Sequence, residues 1–332
     1  MLVLDKREVE SLLDPDALRA AVAAALADLS AGRASMPTRI AALVPERDGL
    51  LAVMPAYLPG AGALTTKLVS LFPRNTDRPT HQAVIVAFDP DTGSPAALMD
   101  GEAITAARTA AGSALATDLL ARRDAATLAV LGAGVQARAH LRALPRVRPF
   151  REIVVGARDM AKASALARQI AAETGIAARA ASFAEAVRAA DVVCACTHSA
   201  EPVVRRDWLR EGTHVNSVGY NTAGREVDGE TVAAALLVVE SRAAALAPPP
   251  GGSNDLLWPI RDGLMDATHV HAELGELVSG ARQGRAGARQ GRADAAQLTL
   301  YKSVGVAVED AAAAALVLRL ARERGVGREI TI

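Results

Sequence analysis

The stretch TLAVLGAGVQARAH, residues 127–140, constrains the fold more than any other part of the chain. An apolar run ends in glycines, and a segment with helical spacing follows at once. Further apolar runs alternate with helical segments toward residue 300: EIVVGARD, DVVCACT, HVNSVG and LLVVES. This alternation predicts βαβ units and a parallel sheet covered by helices on both faces. Residues 120–305 are therefore predicted to form a doubly wound Rossmann domain.

The glycines of this stretch fit the pattern G-x-G-x-x-A, with Gly132, Gly134 and Ala137 at its fixed positions. Gly132 permits a tight turn, Gly134 lets the backbone approach a pyrophosphate, and Ala137 lets helix and strand pack closely. Val135 and Gln136 open the helix, whose free N–H groups and dipole favour an anion. Because the motif follows a strand and begins a helix, it predicts a dinucleotide site.

The end of the next strand, in EIVVGARD, predicts which dinucleotide binds. A site for NAD usually has an acid there that holds the ribose 2′-hydroxyl. Gly156 and Ala157 occupy that place, and the guanidinium of Arg158, which follows, suits a 2′-phosphate. NADP(H) is therefore favoured. NAD(H) stays possible, because Asp159 can be the ribose ligand if the strand ends one residue later.

The first 119 residues have a different pattern. Asp14 is a candidate N-cap with Pro15 at the first helical position, and Gly32 is a candidate helix stop. Short β-rich runs follow, and DPDTG at 89–93 predicts a hairpin turn. A long Ala-rich helical segment, residues 101–123, then leads into the Rossmann region. These features predict a second α/β domain, which the C-terminal helix, about 306–332, is expected to join.

The composition excludes several partners. The 37 Lys and Arg residues balance 37 Asp and Glu residues without a long basic run, so neither nucleic acid nor a membrane is expected as a partner. No apolar run reaches the roughly 18 residues of a membrane span, and the opening MLVLDKREVESLL is unlike a signal peptide. Cys194 and Cys196 are expected to be buried thiols, because residues two apart on a strand are poorly placed for a disulfide. These features predict a cytoplasmic protein.

Two further motifs are expected to have no binding role. GARQGRA occurs at 280–286 and again at 287–293 and lacks any apolar period, which predicts a solvated surface loop. HVH at 269–271 lacks a third placed ligand, so no metal site is predicted.

The chain resembles the ornithine cyclodeaminase/mu-crystallin family over nearly its whole length. The resemblance rests on six motifs together: MPAYLPG, TKLVSLFPRN, PTHQAVIVAFDPDTGSPAALMDGEAITAARTAAGSALAT, VLGAGVQARAH, VNSVGYNTAGREVD and LTLYKSVGVAVED. It implies a Rossmann domain plus an N-terminal α/β domain, residues 1–119, that binds substrate and whose sheet joins that of a second copy. A homodimer is therefore expected. The family includes cyclodeaminases, alanine dehydrogenases, ketimine and pyrroline-carboxylate reductases, and mu-crystallin.

The resemblance also implies a site for a small imino or amino acid. Arg39, Lys67 and Arg108 would hold its carboxylate, which agrees with their chemistry: arginine pairs with a carboxylate through two donors, and lysine adds a point charge. His81 in PTHQ is a further candidate to line the pocket. The other positions that the resemblance assigns to cofactor contacts are Thr109, Thr197, Val218, Gly219, Arg225 and Ser303.

The loop after HVNSVG carries an amide, Asn221, where cyclodeaminases of the family carry an aspartate, and Val53 stands where they carry a glutamate. Cyclodeamination moves several protons and needs a positioned acid or base. A preformed cyclic ketimine arrives protonated, so its reduction requires mainly orientation, and the Asn221 oxygen can accept the iminium N–H. The sequence therefore predicts NADPH-dependent reduction of a cyclic imino acid, such as Δ1-pyrroline-2-carboxylate or Δ1-piperideine-2-carboxylate.

Other activities stay open from the sequence. Lys67 can supply a base, and Glu226 or Asp228 can reach the site if the loop moves, so ornithine cyclodeaminase with bound NAD is the main alternative. An alanine dehydrogenase-like oxidoreductase and a mu-crystallin-like NADPH-binding protein without turnover are the others. Against the last, a carrier of an apolar ligand has no need of a cationic clamp.

Overall fold

The computed structural model describes residues 1–282 and 292–331. Contacts divide the chain into two compact units: Met1–Arg108 with Val306–Ile332, and Thr109–Gly305. The predicted boundary after residue 119 falls at the end of the helix in which the two units divide. No helix in the described ranges is long and apolar enough to cross a membrane.

The strands are, in chain order, β1 (Leu2–Leu4), β2 (Ile40–Val44), β3 (Gly49–Leu58), β4 (Ala63–Leu71), β5 (His81–Phe88), β6 (Pro95–Asp100), β7 (Thr127–Leu131), β8 (Glu152–Gly156), β9 (Ala177–Ala181), β10 (Val192–Ala195), β11 (His214–Ser217), β12 (Leu236–Val239), β13 (Val270–Glu273), β14 (Thr299–Lys302) and β15 (Arg328–Glu329). The helices are α1 (Lys6–Leu12), α2 (Pro15–Ser30), α3 (Gly101–Leu120), α4 (Val135–Ala143), α5 (Met160–Thr174), α6 (Phe183–Ala189), α7 (Gly229–Ala234), α8 (Arg242–Ala245), α9 (Asn254–Arg261), α10 (Leu274–Ser279) and α11 (Ala307–Arg324).

The first unit contains a sheet in the order β15-β1-β6-β5-β4-β3-β2, in which only β1 and β6 pair in parallel. Its predicted local signals are confirmed. Asp14 caps α2 by accepting hydrogen bonds from the N–H groups of Asp16 and Ala17. The hairpin between β5 and β6 closes at Gly93, whose φ of 71° is a left-handed value that favours glycine.

The two faces of this sheet differ in burial. One face is covered where α11 packs on β3 and β4. Cross-strand pairing puts these residues on the covered face: Leu4, Met54, Lys67, Ile85 and Met99. The opposite face is apolar but accessible. The residues that pair across neighbouring strands on this face include Ile40, Val53, Leu68 and Val84. Ile40 is 70% exposed and Val84 is 41% exposed.

The second unit contains a wholly parallel sheet in the order β13-β12-β14-β11-β10-β7-β8-β9. Alternate residues of β7 enter different hydrophobic cores: Ala129 and Leu131 one, Leu128 and Val130 the other. The chain runs outward from β7 through β9 and then returns to β10 on the other side of β7. Such a reversal is where doubly wound sheets bind ligands, at the carboxyl ends of their strands. The predicted doubly wound parallel sheet is confirmed.

Two strands were not predicted from the sequence. Strand β9 was not predicted, because its sequence AARAA lacks the β-branched and aromatic residues that indicate a strand. Strand β13 was not predicted either, and it pairs with β12. The C-terminal helix, predicted at about 306–332, is α11, and Glu309 and Asp310 lie in its first turn.

Two smaller expectations concern the cysteines and the repeat. Cys194 lies in β10 and is buried, as expected, whereas Cys196 follows the strand and is only partly buried; both are free thiols. The duplicated GARQGRA segment falls, at residues 283–291, outside the described residues.

Candidate functional site

The glycine motif forms an open cradle after β7. Gly132 has a φ of 112°, and a Cβ added to it would lie 2.8 Å from the carbonyl oxygen of Cys196. Around a Cβ on Gly134, apart from its chain neighbours, the described residues have no heavy atom within 4 Å. Gly134 is also the N-cap of α4, and no described side chain caps that helix end. The N-terminal N–H groups of α4 are thus available to an anion, which fits a pyrophosphate.

The other residues of the motif differ in burial. Ala137 is fully buried and lets α4 approach the sheet, as its place in the pattern predicts. Val135 is 62% exposed beside the cradle. The backbone oxygen of Gln136 contacts His140 Nδ1 at 2.8 Å, and Nε2 of the same ring contacts Ser113 Oγ at 2.8 Å. The start of α4 is therefore held by a buried side chain one turn further along.

The end of β8 is followed by one arginine and one aspartate, Arg158 and Asp159. The strand ends at Gly156, and Arg158 is exposed two residues later. Asp159 is the N-cap of α5, and its side chain accepts a 3.0 Å hydrogen bond from Lys162 N. One oxygen of Asp159 thus caps the helix, and Arg158 is exposed at the carboxyl end of the strand.

The carboxyl ends of β10 and β11 are joined by one buried carboxylate, Glu226, which is 2% exposed. Its Oε1 accepts from Thr197 N at 2.6 Å and from Thr197 Oγ1 at 2.7 Å. Its Oε2 accepts from Gly219 N at 2.9 Å and from Ser217 Oγ at 3.0 Å. Between these residues, Val218 N donates to the carbonyl of Ala195.

A second buried carboxylate, Glu240, supports the end of β14. It is fully buried and accepts a 2.6 Å hydrogen bond from Ser303 Oγ, together with the N–H groups of Val304 and Gly305. Thr197 and Ser303 thus donate their hydroxyl protons to carboxylates. Their oxygen lone pairs can accept hydrogen bonds from a ligand.

The loop that contains Asn221 is fixed by hydrogen bonds. Asn221 Oδ1 accepts from Ala223 N at 2.8 Å, and its Nδ2 donates to the carbonyl of His198 at 3.0 Å. The Asn254 amide donates to the loop carbonyls of Asn221, Thr222 and Gly224. The amide at position 221 therefore helps to set the loop's own conformation.

Other loop residues are engaged as well. Arg225, predicted to contact the cofactor, lies over the Trp258 ring with its guanidinium carbon 5.8 Å from the centroid. Asp228 caps α7 through Thr231 N and accepts from Arg206 N. Glu226 and Asp228, the two acids that could replace an aspartate at position 221, are thus committed to hydrogen bonds within the fold.

The predicted substrate cations of the first unit meet two carboxylates on α11. Lys67 Nζ lies 2.6 Å from Asp310 Oδ2. Arg108 contacts Asp310 Oδ1 through Nε and Glu309 Oε2 through Nη1, both at 3.0 Å. All four side chains are at most 5% exposed. The result is a buried ionic cluster of two cations and two anions, Lys67, Arg108, Glu309 and Asp310.

Burial and charge act in opposite directions on this cluster. Burial lowers the pKa of Lys67 to about 8, although the charge of Asp310 opposes the shift. Burial alone would raise the pKa of Asp310, but Arg108 and Lys67 hold it below its ordinary value. Lys67 is therefore charged at neutral pH and loses its proton only in mildly alkaline solution.

His81 and Arg39 belong to the same electrostatic environment. Burial, reinforced by the charges of Lys67 and Arg108, lowers the pKa of His81 to about 4, so its ring is neutral at pH 7. The positive charge of Arg39 contributes to the lowered pKa of Lys67. Lys67, Arg108, His81 and Arg39 are thus brought together within the first unit. Thr109, which follows Arg108, is buried on α3 in the second unit.

Pairing within the sheet places Val53, which was predicted to stand where cyclodeaminases carry a glutamate, on the accessible face. Its neighbour Met54 pairs with Lys67 on the covered face. Successive side chains of a strand alternate between faces, which explains the difference. Met54 is apolar, so the residue that pairs with Lys67 carries no carboxylate either.

The residues that sequence reasoning missed are mainly carboxylates: Glu240, Asp255, Glu309 and Asp310. Their signal was weak, since each stands directly after an apolar run or at the first turn of a helix, where an acid is ordinary. For HVH, His269 Nε2 contacts the carbonyl of Val232. Across residues 1–282 and 292–331, no group of three or more His, Cys, Asp or Glu side chains is arranged to hold a metal ion.

A doubly wound parallel sheet with a glycine cradle at its switch point defines a dinucleotide-binding protein of the α/β class. The chain belongs to the ornithine cyclodeaminase/mu-crystallin family, whose family model matches residues 1–325. Both the family assignment and the predicted fold class, a Rossmann domain with an N-terminal α/β domain, are thereby confirmed.

Three known proteins are similar along nearly the whole chain. Ketimine reductase mu-crystallin from Mus musculus is 38% identical over 321 residues, which are 95% of this chain and 94% of that protein. Thermococcus litoralis Delta(1)-pyrroline-2-carboxylate reductase, solved with NADH and L-proline, has a TM-score of 0.93 and 39% identity, covering 99% of this chain and 100% of that one. An archaeal alanine dehydrogenase dimer with bound NAD has a TM-score of 0.91 and 31% identity, covering 100% and 99%.

Proposed function

We propose that this chain is an NADPH-dependent reductase of a cyclic imino acid, of the chemical type of Δ1-pyrroline-2-carboxylate. The proposal rests on the side chains that the loop after β11 presents and on the hydrogen bonds that hold them. Asn221 offers an amide, while Glu226 and Asp228 are held by hydrogen bonds elsewhere. The proton transfers of a cyclodeaminase require an acid or a base, and this loop would supply neither. Reduction of an imine that arrives protonated does not require one. The similarity to a ketimine reductase and to a pyrroline-carboxylate reductase supports the same activity.

The cationic residues of the first unit would bind the substrate carboxylate. Lys67 and Arg108 would bring positive charge to it, and the charge of Arg39 would add to the attraction. His81 adds no charge at neutral pH, since its pKa is about 4. The ion pairs also fix the directions of Lys67 and Arg108 before the substrate arrives, so little reorganisation accompanies binding.

The second unit would bind the cofactor, which supplies the hydride when it is bound. The cradle of Gly132 and Gly134 with the N-terminus of α4 suits the pyrophosphate. Thr197, Gly219 and Ser303 form the carboxyl ends of three neighbouring strands and would orient the nicotinamide half. Asn221, with its second oxygen lone pair, would accept the iminium N–H of the substrate.

The proposal is tested by following NADPH oxidation with a panel of substrates. We expect turnover with five- and six-membered cyclic imino acids that carry one carboxylate. We expect little turnover with 2-oxo acids plus ammonia, or with imino dicarboxylates. Exclusive activity on 2-oxo acids plus ammonia would instead assign an alanine dehydrogenase-like reaction.

Cofactor preference should depend on Arg158. In Arg158→Ala, we expect the affinity for NADPH to fall by about tenfold to a hundredfold, the value of a hydrogen bond to a charged group, while the affinity for NADH stays nearly unchanged. Fluorescence titration with both cofactors measures this. Arg179→Ala is the matched control, since Arg179 lies on the neighbouring strand and pairs with Glu152. A wild-type protein that binds NADH tenfold more tightly than NADPH would refute the assignment.

The role of Asn221 separates a reductase from a cyclodeaminase. We expect Asn221→Ala to slow imine reduction by no more than about tenfold, because the substrate would lose one neutral hydrogen bond, worth roughly 0.5–1.5 kcal/mol. We expect Asn221→Asp to weaken the loop, because a carboxylate would replace the donor that now reaches the His198 carbonyl. Neither the wild type nor these variants should release ammonia from ornithine with catalytic NAD+. Substantial ammonia release by the wild type would overturn the reductase assignment.

We further propose that two copies of the chain associate through the accessible apolar face of the first unit's sheet. Ile40, Leu51, Tyr57 and Val84 share this face and are 37–70% exposed. Exposed apolar patches of this kind mark association surfaces, and the archaeal alanine dehydrogenase neighbour is a dimer. We expect the double variant Ile40→Asp, Val84→Asp to be monomeric by light scattering, whereas Leu264→Asp, at an exposed leucine of the second unit, stays dimeric. A monomeric wild type would contradict this proposal.

A further inference from the structure

Glu226 stands at an unusual place for a buried acid, at the carboxyl ends of β10 and β11, next to the switch point between β7 and β10. Its two oxygens link Thr197, which follows β10, to Gly219, which follows β11. A Cβ on Gly219 would lie 2.4 Å from the carbonyl of Thr197 and 2.5 Å from Glu226 Oε2. The three residues are therefore packed so closely that Glu226 determines the positions of both strand ends.

The hydrogen bonds and the charge of Lys302 favour the ionised form of Glu226, whereas burial raises the pKa of its carboxyl. Each oxygen accepts from a backbone N–H, one of Thr197 and one of Gly219, and a backbone N–H cannot reverse its role. The hydroxyls of Thr197 and Ser217 complete four contacts. A proton on either oxygen would face one of these donors, which favours the carboxylate form.

The charges around Glu226 do not cancel. Lys302 Nζ lies 2.9 Å from Asp255 Oδ2 and donates to Ser217 Oγ and to the carbonyl of Gly219. Asp255 in turn accepts from the N–H groups of Glu226 and Val227. These three side chains are at most 3% exposed. Two carboxylates and one ammonium leave one buried negative charge behind the ends of β10 and β11.

We propose that Glu226 is a positioning residue for the nicotinamide half of the cofactor and that its charge biases the site toward the oxidised form. The inference rests on the proposed cofactor site, with the nicotinamide half at Thr197 and Gly219. The nicotinamide ring is neutral in NADPH and positively charged in NADP+. A fixed negative charge in a low-dielectric setting attracts the charged form and leaves the neutral form nearly unaffected. The same attraction would favour departure of hydride from the reduced ring.

The test compares equilibrium binding of NADP+ and NADPH, without turnover. In Glu226→Gln we expect the dissociation constant for NADP+ to rise about tenfold relative to that for NADPH, because a unit charge is lost. Glu226→Asp keeps the charge on a shorter side chain, so both cofactors should bind more weakly with an unchanged ratio. Asp191→Asn is the matched control. Asp191 also accepts four hydrogen bonds, but at the opposite edge of the sheet, from Ala126, Thr127, Arg122 and Arg210.

Each outcome decides between the possibilities. A ratio that shifts in Glu226→Gln, but not in Glu226→Asp or Asp191→Asn, supports the inference. An unchanged ratio in folded Glu226→Gln overturns it. If Glu226→Gln fails to fold, Lys302→Gln decides: removing the ammonium should shift the ratio in the opposite direction, toward tighter NADP+, and no shift overturns the inference. Failure of the wild type to bind either cofactor would count against the proposed function instead.

Discussion

Replacing Arg108 with alanine is expected to abolish imine reduction while cofactor binding persists. The guanidinium joins Glu309 to Asp310 inside the first unit, and the proposed function makes it the main anchor of the substrate carboxylate. Its removal takes away the guanidinium that contacts both buried carboxylates. Breaking a buried ion pair typically costs about 3–5 kcal/mol. We therefore expect kcat/KM to fall at least about a hundredfold and the free energy of unfolding to fall by a comparable energy.

The surface pair Arg142–Glu173 provides the control. Arg142 contacts both oxygens of Glu173 through Nε and Nη2, which is also two-pronged geometry, but its side chain is 57% exposed. Arg142→Ala should change stability by less than about 1 kcal/mol and leave activity unchanged. Arg108→Lys should recover part of the stability and little of the activity, since an ammonium cannot bridge two carboxylates as a guanidinium does. A fall in activity of less than about tenfold in Arg108→Ala would exclude Arg108 from the substrate site.

Replacing Asp310 with asparagine is expected to move the alkaline limit of substrate binding to lower pH. The pKa of Lys67 is about 8 because burial lowers it, and the charge of Asp310 limits that decrease. In the wild type, the positive charge of Lys67 is present below pH 8 and lost above it, so affinity for a carboxylate should decline as pH rises through 8. Without the Asp310 charge, the pKa of Lys67 falls further and the decline begins at lower pH.

The measurement is the inhibition constant of cyclopentanecarboxylate as a function of pH. This compound has no group that titrates between about pH 6 and pH 10, unlike an imine, so the profile reports the protein. In Lys67→Arg the decline near pH 8 should disappear, since arginine stays charged. Profiles that are identical in the wild type and in Asp310→Asn would mean that Lys67 does not contact the carboxylate.

Local sequence patterns were sufficient for much of the fold. The apolar runs of β7, β8, β10 and β11 and the glycines between β7 and α4 were predicted because each signal lies within a few consecutive residues. Strand β9 was missed because an alanine-rich strand has little intrinsic β preference and forms by pairing with β8. Strand β13 was missed for a similar reason, since it pairs with β12, which is distant in the sequence.

The sequence by itself determined the family, the doubly wound sheet and the identity of the cations and glycines, because these depend on residue type and on short spacings. Only the tertiary structure decided how those residues are held. Lys67 and Asp310 are far apart in the chain, and their 2.6 Å contact exists because α11 packs on β4. Glu226 acts on Thr197 because two parallel strands end side by side. Contacts between distant segments depend on packing, and a charged residue's own neighbours in the sequence do not reveal which opposite charge it will meet.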